Sequence, residues 1–289
     1  MPDKIIDIHP HIISTDTRKY LQAPLFGVQS EWSKKRPVSA EQLIGMMDEA
    51  GVDKAAVVHS STCYGFDCSY LADNLERHRD RFAGVGSIDM LAPDAVRTAR
   101  HWIGRGFEGL RLFTGGTTRA MDASGLDNPN TYPVWEVLNE EGLVMCIQTD
   151  QTGAAAIMSL ARRFAKVKII IDHLARPDVS DGPPYEKAKS LFDMAIMPNI
   201  YLKVSTNAVE NAHTGKASPE TLFRKLVDVF GADRLAWGSN FPAAPETLPA
   251  LAEKAKKGFS SLSGDERAWM LRKTAQKLFP SLADVPPGA

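Results

Sequence analysis

The sequence predicts one α/β domain folded as a (β/α)8 barrel, the TIM barrel architecture. Eight short apolar runs, most of them continuous and rich in Val and Ile, recur along the 289 residues. Stretches with helical periodicity separate nearly all of these runs, which is the pattern of parallel strands that are covered on both faces. Eight such units in a chain of this length favour a closed barrel, and we place the domain at residues 1–289.

An open, doubly wound sheet is the competing architecture. That fold carries a glycine-rich phosphate loop after its first strand, and the segment HPHIIS at residues 9–14 contains no glycine. The pair Gly115-Gly116 follows the fourth predicted strand, but it lacks the flanking spacing of a phosphate loop. The closed barrel is therefore the better interpretation.

The elements follow one another in regular order. The predicted strands span residues 5–9, 55–59, 83–88, 107–113, 143–148, 167–173, 200–205 and 235–240. Helical periodicity predicts helices near residues 39–50, 67–80, 93–103, 132–141, 153–164, 185–196, 218–230, 245–257 and 264–278. Ser218 followed by Pro219 marks a helix start, because proline suits the first helical turn. Gly51 and Gly142 mark helix ends, where a left-handed residue closes the last turn.

Composition excludes several classes of protein. With 34 basic and 35 acidic residues the formal net charge is −1, which argues against a general binder of nucleic acid or of membrane surfaces. No apolar run approaches the roughly 20 residues that span a membrane. Because the first predicted strand begins at residue 5, we expect no signal peptide. The three cysteines have no paired zinc spacing, so we expect reduced thiols in a soluble cytoplasmic protein. Whether the chain forms a homo-oligomer is left open.

Two histidines end the first predicted strand. His9 and His11 are two residues apart, a spacing that places both side chains on one face of a strand and so into one barrel mouth. Two imidazoles placed in this way can reach one metal ion or one substrate carbonyl. The alternative is a pair of polar residues in a surface turn.

A third histidine and an arginine follow the sixth predicted strand. His173 ends that strand and is expected at the same mouth, and Arg176 could clamp a carboxylate with its planar guanidinium. In the alternative interpretation His173 binds a neighbouring loop, while Asp172 and Arg176 form a surface ion pair.

Asn240 ends the eighth predicted strand, in the segment GSNFP, and is aimed at the same mouth. A carboxylate at this position would bind a metal ion and take a proton from water. An amide is no base and is a poor metal ligand. The alternative role for Asn240 is to cap the segment that follows it.

Further candidates for substrate contacts stand at or beyond other strand ends. Arg111 and Arg119 could receive an anionic substrate, although Arg119 could equally be a solvated loop charge. Gln148 could bind a substrate oxygen at the end of the fifth strand. His59 and Ser61 follow the second strand.

The segments DIHPH, IDHLARP and WGSNFP, in this order and spacing, resemble the amidohydrolase superfamily and in particular its amidohydrolase-2 branch. The resemblance extends from residue 5 to about residue 280. The last predicted helix is similar to the terminal segment of the branch, with Thr274 at a position where the branch has Asn. Within the branch, the pattern is most similar to 2-pyrone-4,6-dicarboxylate lactonases and related lactone hydrolases. Decarboxylases of the branch usually keep a histidine where this chain has Gln148, which favours a lactonase.

The resemblance implies a role for each matching residue. His9, His11 and His173 would polarise an ester carbonyl, either through a divalent metal such as zinc or manganese or directly, as in the metal-independent lactonases. Neutral imidazoles are needed in either case, so activity is expected to fall as the pH drops through the histidine range. Arg111 and Arg176 would bind the carboxylates of a small anionic substrate.

The implied reaction is hydrolysis of a small carboxylated lactone, of the pyrone-dicarboxylate or muconolactone type, in the breakdown of aromatic compounds. Two alternatives stay open: a decarboxylase of the same branch, and a barrel that binds a ligand without turnover. The second follows from the departure at Asn240, where the family pattern has the Asp that deprotonates water. Asn240 is either natural or an introduced Asp→Asn change, and the sequence does not distinguish the two.

Overall fold

The protein is a barrel of eight parallel strands, as predicted from its sequence. The computed structural model describes residues 4–284, so the outermost residues of the predicted domain, 1–3 and 285–289, lie outside the described part. The strands are β1 (Ile5–Asp7), β2 (Val52–Val58), β3 (Phe82–Gly86), β4 (Phe107–Phe113), β5 (Val144–Gln148), β6 (Lys168–Ile171), β7 (Ile200–Ser205) and β8 (Leu235–Gly238). Each strand pairs with the next one along the chain.

Hydrogen bonds at the ends of the first and last strands bring the two edges of the sheet together. The Ile8 N–H donates to the Trp237 carbonyl at 3.1 Å, and the Ser239 N–H donates to Oδ1 of the buried Asp7 at 2.8 Å. The eight strands therefore form a nearly closed barrel, which confirms the predicted fold class.

Helices surround the barrel. They are α1 (Glu31–Lys35), α2 (Ala40–Ala50), α3 (Ser61–Tyr64), α4 (Ser69–Arg77), α5 (Ala95–Gly104), α6 (Tyr132–Glu141), α7 (Ala154–Arg163), α8 (Lys189–Asp193), α9 (Thr206–Asn211), α10 (Pro219–Phe230), α11 (Leu248–Gly258), α12 (Gly264–Ala268) and α13 (Thr274–Leu278). Six of the predicted helices appear with shifted ends, and α6 spans the predicted residues 132–141. The helix predicted near 185–196 is broken into α8 and two flanking 3-10 turns. The helix predicted over 264–278 contains a π-helical turn, Trp269–Lys273.

Residues on the two faces of the strands build two cores. Small and branched side chains such as Ile6, Val58, Val85 and Ile170 fill the barrel interior. The C-terminal segment, including Phe279, packs against the end of this interior at which the strands begin. The opposite faces of the strands pack against the helices. The other end of the barrel, where the strands end, is the position at which barrel enzymes have their active sites.

Five of the predicted strands stop one or two residues earlier at this end than expected. Three of these are β1, β6 and β8, which stop at Asp7, Ile171 and Gly238, so His9, His173 and Asn240 lie just beyond the strands. Loops in this position carry the functional groups of barrel enzymes. Within residues 4–284, no helix is long and apolar enough to cross a membrane.

Candidate active site

A cavity of about 250 Å³ opens at the carboxyl ends of the strands. Eight of the residues singled out from the sequence line it: His11, His59, Ser61, Arg111, Gln148, His173, Arg176 and Asn240. His9 lies behind this lining, and Arg119 lies elsewhere. The strand-end pattern thus brings most of the candidates to one place.

His11 is held in one tautomer by the backbone. Its Nδ1 lies 2.8 Å from the Val58 carbonyl oxygen, which can only accept, so Nδ1 carries the proton. The neutral ring therefore keeps a lone pair on Nε2. Burial and, to a smaller extent, the positive charge of Arg111 together lower the pKa of His11 to about 3. His11 is consequently a neutral hydrogen-bond acceptor across the ordinary pH range.

His173 stands in an unusual backbone turn. The residues from His173 to Arg176 all have positive φ, between 51° and 57°, which non-glycine residues adopt at a cost. This turn brings Nδ1 of His173 to 2.7 Å from the Ser205 hydroxyl. When Ser205 donates this bond, Nε2 of the neutral ring carries the proton and can donate to a ligand. Burial lowers the pKa of His173 to about 3.

His9 does not share the cavity face with His11, contrary to the period-two expectation. Strand β1 ends at Asp7, so strict alternation of side chains stops before His9 is reached. Its ring is completely buried and lies 5.0 Å, centroid to centroid, from the rings of both His11 and His173. Neither ring nitrogen has a hydrogen-bond partner within residues 4–284. Burial holds the pKa of His9 well below its ordinary value, and Lys203 adds to this effect.

A buried charge cluster lies beside the histidines. Asp172 Oδ2 accepts from Nε of Arg111 at 2.8 Å, and Oδ1 lies 2.8 Å from Nζ of Lys203. Nη2 of Arg111 also donates to Oε1 of Gln148. Burial alone would raise the pKa of Asp172, but Lys203 and Arg111 hold it far below its usual range. The surface pair considered for Asp172 and Arg176 is therefore wrong, because Asp172 is fully buried and its partners are two other cations.

Asn240 lines the cavity with a backbone φ of +60°, a conformation that asparagine tolerates better than most residues. It does not cap the next helix, because Thr247 occupies that position and accepts from the Ala250 N–H. Gly238, two residues earlier, has no room for a side chain: a Cβ there would lie 2.7 Å from Cβ of His9. The glycine in this strand therefore allows His9 to lie against β8.

The remaining candidates differ in how freely they can meet a ligand. Arg176 is exposed and has no carboxylate partner in the described part of the chain. His59 and Ser61 already have hydrogen-bond partners in the protein. Nε2 of His59 lies 3.0 Å from the Gly65 carbonyl oxygen, and the Ser61 hydroxyl donates to the Ser87 hydroxyl at 2.9 Å. Arg119 is not brought to the site. It lines an adjoining cavity, with its guanidinium 4.6 Å from the centre of the Phe26 ring.

Several residues at or beside the cavity were not predicted from the sequence, and four of them bear on its chemistry. Trp32 lines it and packs on His11, with ring centroids 5.2 Å apart. Glu210 and Glu246 also line it, and neither lies at the end of a predicted strand. Lys203 was detectable, since a lysine inside the apolar strand IYLKVS needs a buried partner.

The donor set of the site does not fit a firmly held divalent metal ion. Among residues 4–284, no three His, Cys, Asp or Glu side chains are grouped to hold one. Both carboxylate oxygens of Asp172 are engaged by cations, and residue 240 is an amide. The neutral imidazoles would therefore face a dication beside the buried Lys203 and Arg111, which is electrostatically unfavourable. The two glutamates of the lining are both engaged by Lys254.

Comparison with known proteins agrees with the fold and the residue pattern. The family model described as amidohydrolase matches residues 6–281. An L-fucono-1,5-lactonase from Burkholderia ambifaria is 26% identical over 242 residues, which cover 83% of this chain and 80% of the relative.

Solved structures show the same fold. A structure from Pseudomonas putida, named as a candidate 2-pyrone-4,6-dicarboxylic acid hydrolase, superimposes with a TM-score of 0.76 at 21% identity, covering 97% of this chain and 99% of that one. A dihydroxybenzoic acid decarboxylase from Polaromonas sp. JS666, with bound manganese and the inhibitor 2-nitroresorcinol, gives a TM-score of 0.69 at 16% identity and covers 98% of each chain. A divalent metal is thus compatible with the fold, although the donor set of this chain does not favour one. The match over residues 6–281 shows that the chain belongs to the amidohydrolase family of enzymes.

Proposed function

We propose that this protein is a lactonase that opens a small carboxylated lactone without a firmly bound metal ion. One observation carries the proposal: neutral imidazoles and the unpaired cation of Arg176 line the same small cavity. The cavity, of about 250 Å³, accommodates a single ring with one or two substituents. The similarity to a sugar lactonase supports hydrolysis of a ring ester.

Arg176 would anchor the substrate carboxylate. Its guanidinium is the exposed cation of the lining, and its planar fork suits a carboxylate. Arg111 was expected to share this task, but Asp172 and Gln148 already engage two of its nitrogens. We therefore assign Arg111 a structural role: it binds Asp172 and Gln148 and adds positive charge beneath the ligand.

The three imidazoles would have different roles in hydrolysis of the ester. His173 would donate from Nε2 to the lactone carbonyl, whose oxygen gains negative charge when water attacks. His11 would accept a hydrogen bond from the attacking water through its Nε2 lone pair. His9 would hold both rings in place through its contacts with them. This division departs from the expectation that all three histidines polarise the carbonyl.

A matched panel of substrates tests the proposal. Ring opening would be followed for 2-pyrone-4,6-dicarboxylate, a muconolactone carboxylate, the methyl esters of both, and neutral sugar lactones. We expect turnover of a carboxylated lactone and a loss of at least tenfold in kcat/KM for its methyl ester. An enzyme that opens none of these lactones would contradict the proposal.

A decarboxylase is the second candidate, because a decarboxylase shares the fold. That structure contains manganese, and the proposed lactonase reaction needs none. Metal analysis of the purified protein, with a parallel assay on 2,6-dihydroxybenzoate, separates the two. Stoichiometric metal together with carbon dioxide release would favour the decarboxylase. Lactone opening by metal-free enzyme would exclude the decarboxylase alternative.

We also propose that the reaction serves aromatic catabolism in the cytoplasm. The three cysteines are buried free thiols, which supports a reducing compartment. Growth of a deletion strain on aromatic acids, with fractionation of the protein, would test both statements.

A further inference from the structure

The amide of Asn240 leaves the proposed lactonase without a carboxylate at the end of β8, yet the cavity contains two others. Glu210 lines it from α9, and Glu246 lines it from the segment between β8 and α11. Both could in principle accept a proton from water. The surroundings of the two side chains differ, and the difference identifies one of them.

Lys254 of α11 links the two carboxylates. Its Nζ lies 2.8 Å from Oε1 of Glu210 and also donates to Oε1 of Glu246. The bond from Lys254 lowers the pKa of Glu246, so this side chain is an anion at neutral pH. Lys254 thereby fixes one oxygen of Glu246 and orients the other.

The second oxygen of Glu246 is the distinguishing feature. Oε2 is buried and has no hydrogen-bond partner within residues 4–284. Buried carboxylate oxygens are nearly always satisfied, so a donor is expected from the cavity itself. The Glu210 side chain is 53% exposed against 30% for Glu246, so bulk water can solvate Glu210.

We propose that Glu246 is the general base that replaces the missing carboxylate at residue 240. The inference rests on the proposed lactonase function. Oε2 takes a proton from the attacking water while the water oxygen forms a bond to the lactone carbonyl carbon. The tetrahedral intermediate then breaks its bond to the ring oxygen, which takes the proton from Glu246. The product is a hydroxy acid, and no other reactant is needed.

His11 is the competing acceptor, and its surroundings oppose this role. Proton transfer to its Nε2 would create an imidazolium in a buried site that already contains Arg111 and Lys203. Transfer to Glu246 instead turns an anion into a neutral acid. The attacking water can therefore be oriented by His11 and deprotonated by Glu246, with the Asn240 amide as a further hydrogen-bond partner.

Glu246→Gln is the first test, since it keeps the shape and removes the base. We expect kcat to fall by about 10²- to 10⁴-fold with KM changed by no more than a few-fold. Glu253→Gln is the matched control, because Glu253 is an exposed residue of α11 that is ion-paired with Lys256. This control should keep wild-type kcat. Urea unfolding would verify that both variants are folded.

The double variant Asn240→Asp/Glu246→Gln is the second test. A carboxylate returned to residue 240 should raise kcat at least tenfold above that of Glu246→Gln. No such gain, wild-type kcat in Glu246→Gln, or a comparable loss in Glu210→Gln instead, would overturn the assignment of Glu246. Absence of lactone opening by the wild-type enzyme would overturn the proposed function, and this assignment with it. Wild-type activity that persists in Glu246→Gln would overturn the assignment alone.

Discussion

The ammonium nitrogen of Lys203 lies 2.8 Å from the carboxylate of Asp172, and both side chains are completely buried inside the barrel. Arg111 contacts the other oxygen of the same carboxylate at 2.8 Å. The cluster carries one more positive than negative charge and lies directly beneath the cavity. Burial is the main reason why the neighbouring His9, His11 and His173 stay neutral, because it lowers their pKa values. Lys203 and Arg111 lower these pKa values as well, while Asp172 opposes them at His11 and His173.

Lys203→Met should destabilise the protein strongly. The substitution keeps an apolar stem but leaves Asp172 buried with one cation instead of two, and breaking a buried pair costs about 3–5 kcal/mol. Urea unfolding would measure the free energy of unfolding. Lys189→Met is the control, because Lys189 forms an exposed pair with Asp193 that should contribute less than about 1 kcal/mol. Equal effects of the two substitutions would refute the role of the buried cluster.

Activity should not fall as the pH decreases through about 6.5, the ordinary pKa of histidine. His11 and His173 have pKa values of about 3, so both rings are neutral from about pH 4 upward. Activity should therefore persist well below pH 6.5, which corrects the expectation drawn from the sequence. A profile of kcat/KM against pH would show this directly. Half-maximal activity near pH 6.5 would contradict the neutral, buried histidines.

Stability should nevertheless decrease on acidification. The unfolded chain protonates its histidines below about pH 6.5, whereas folded His11 and His173 stay neutral down to about pH 3. The unfolded state thus binds more protons in this window, and the free energy of unfolding falls by up to about 1.4 kcal/mol per pH unit for each histidine. Urea titrations between pH 7 and pH 4 would measure the slope. A flat profile would be inconsistent with the depressed pKa values.

Gly238→Ala should disturb both stability and activity. The new Cβ would lie 2.7 Å from Cβ of His9, and the neighbour there is a rigid part of the chain rather than a flexible side-chain end. Overpacking of this kind costs about 1–3 kcal/mol and would displace His9 from the rings that it supports. Gly45→Ala is a suitable control, since a Cβ at Gly45 of α2 meets nothing within 4 Å. Wild-type behaviour of Gly238→Ala would show that His9 does not depend on this close approach.

Arg176→Met should affect binding more than turnover. Removing the cation should raise KM at least tenfold for a carboxylated lactone and leave a neutral methyl ester nearly unaffected, because only the former contains the charge that Arg176 would bind. Arg97→Met, which removes an exposed arginine paired with Asp94, serves as control. Equal losses for the acid and its ester would argue against a carboxylate at Arg176.

The sequence was sufficient to predict the barrel and most of the cavity lining, because strand periodicity alone places strand ends at one mouth. It could not place His9, since the alternation of β1 stops at Asp7 and the His9 N–H instead donates to the Asp7 side chain. The left-handed turn from His173 to Arg176 is also invisible in the sequence, as it contains no glycine. Glu246 falls within the helix predicted near residues 245–257 but lies before α11 in the structure, so the helical pattern did not mark it as a site residue.

Buried, neutral histidines are proposed to assist lactone opening in this cavity. Measuring kcat/KM for a carboxylated lactone tests this, with metal-stripped wild-type, His11→Ala and His173→Ala enzymes whose folding is verified by urea unfolding. We expect the metal-free wild type to be active and both variants to lose at least about 10²-fold in kcat/KM, which is the lower range for positioned acid–base groups. Full activity in both folded variants would contradict it.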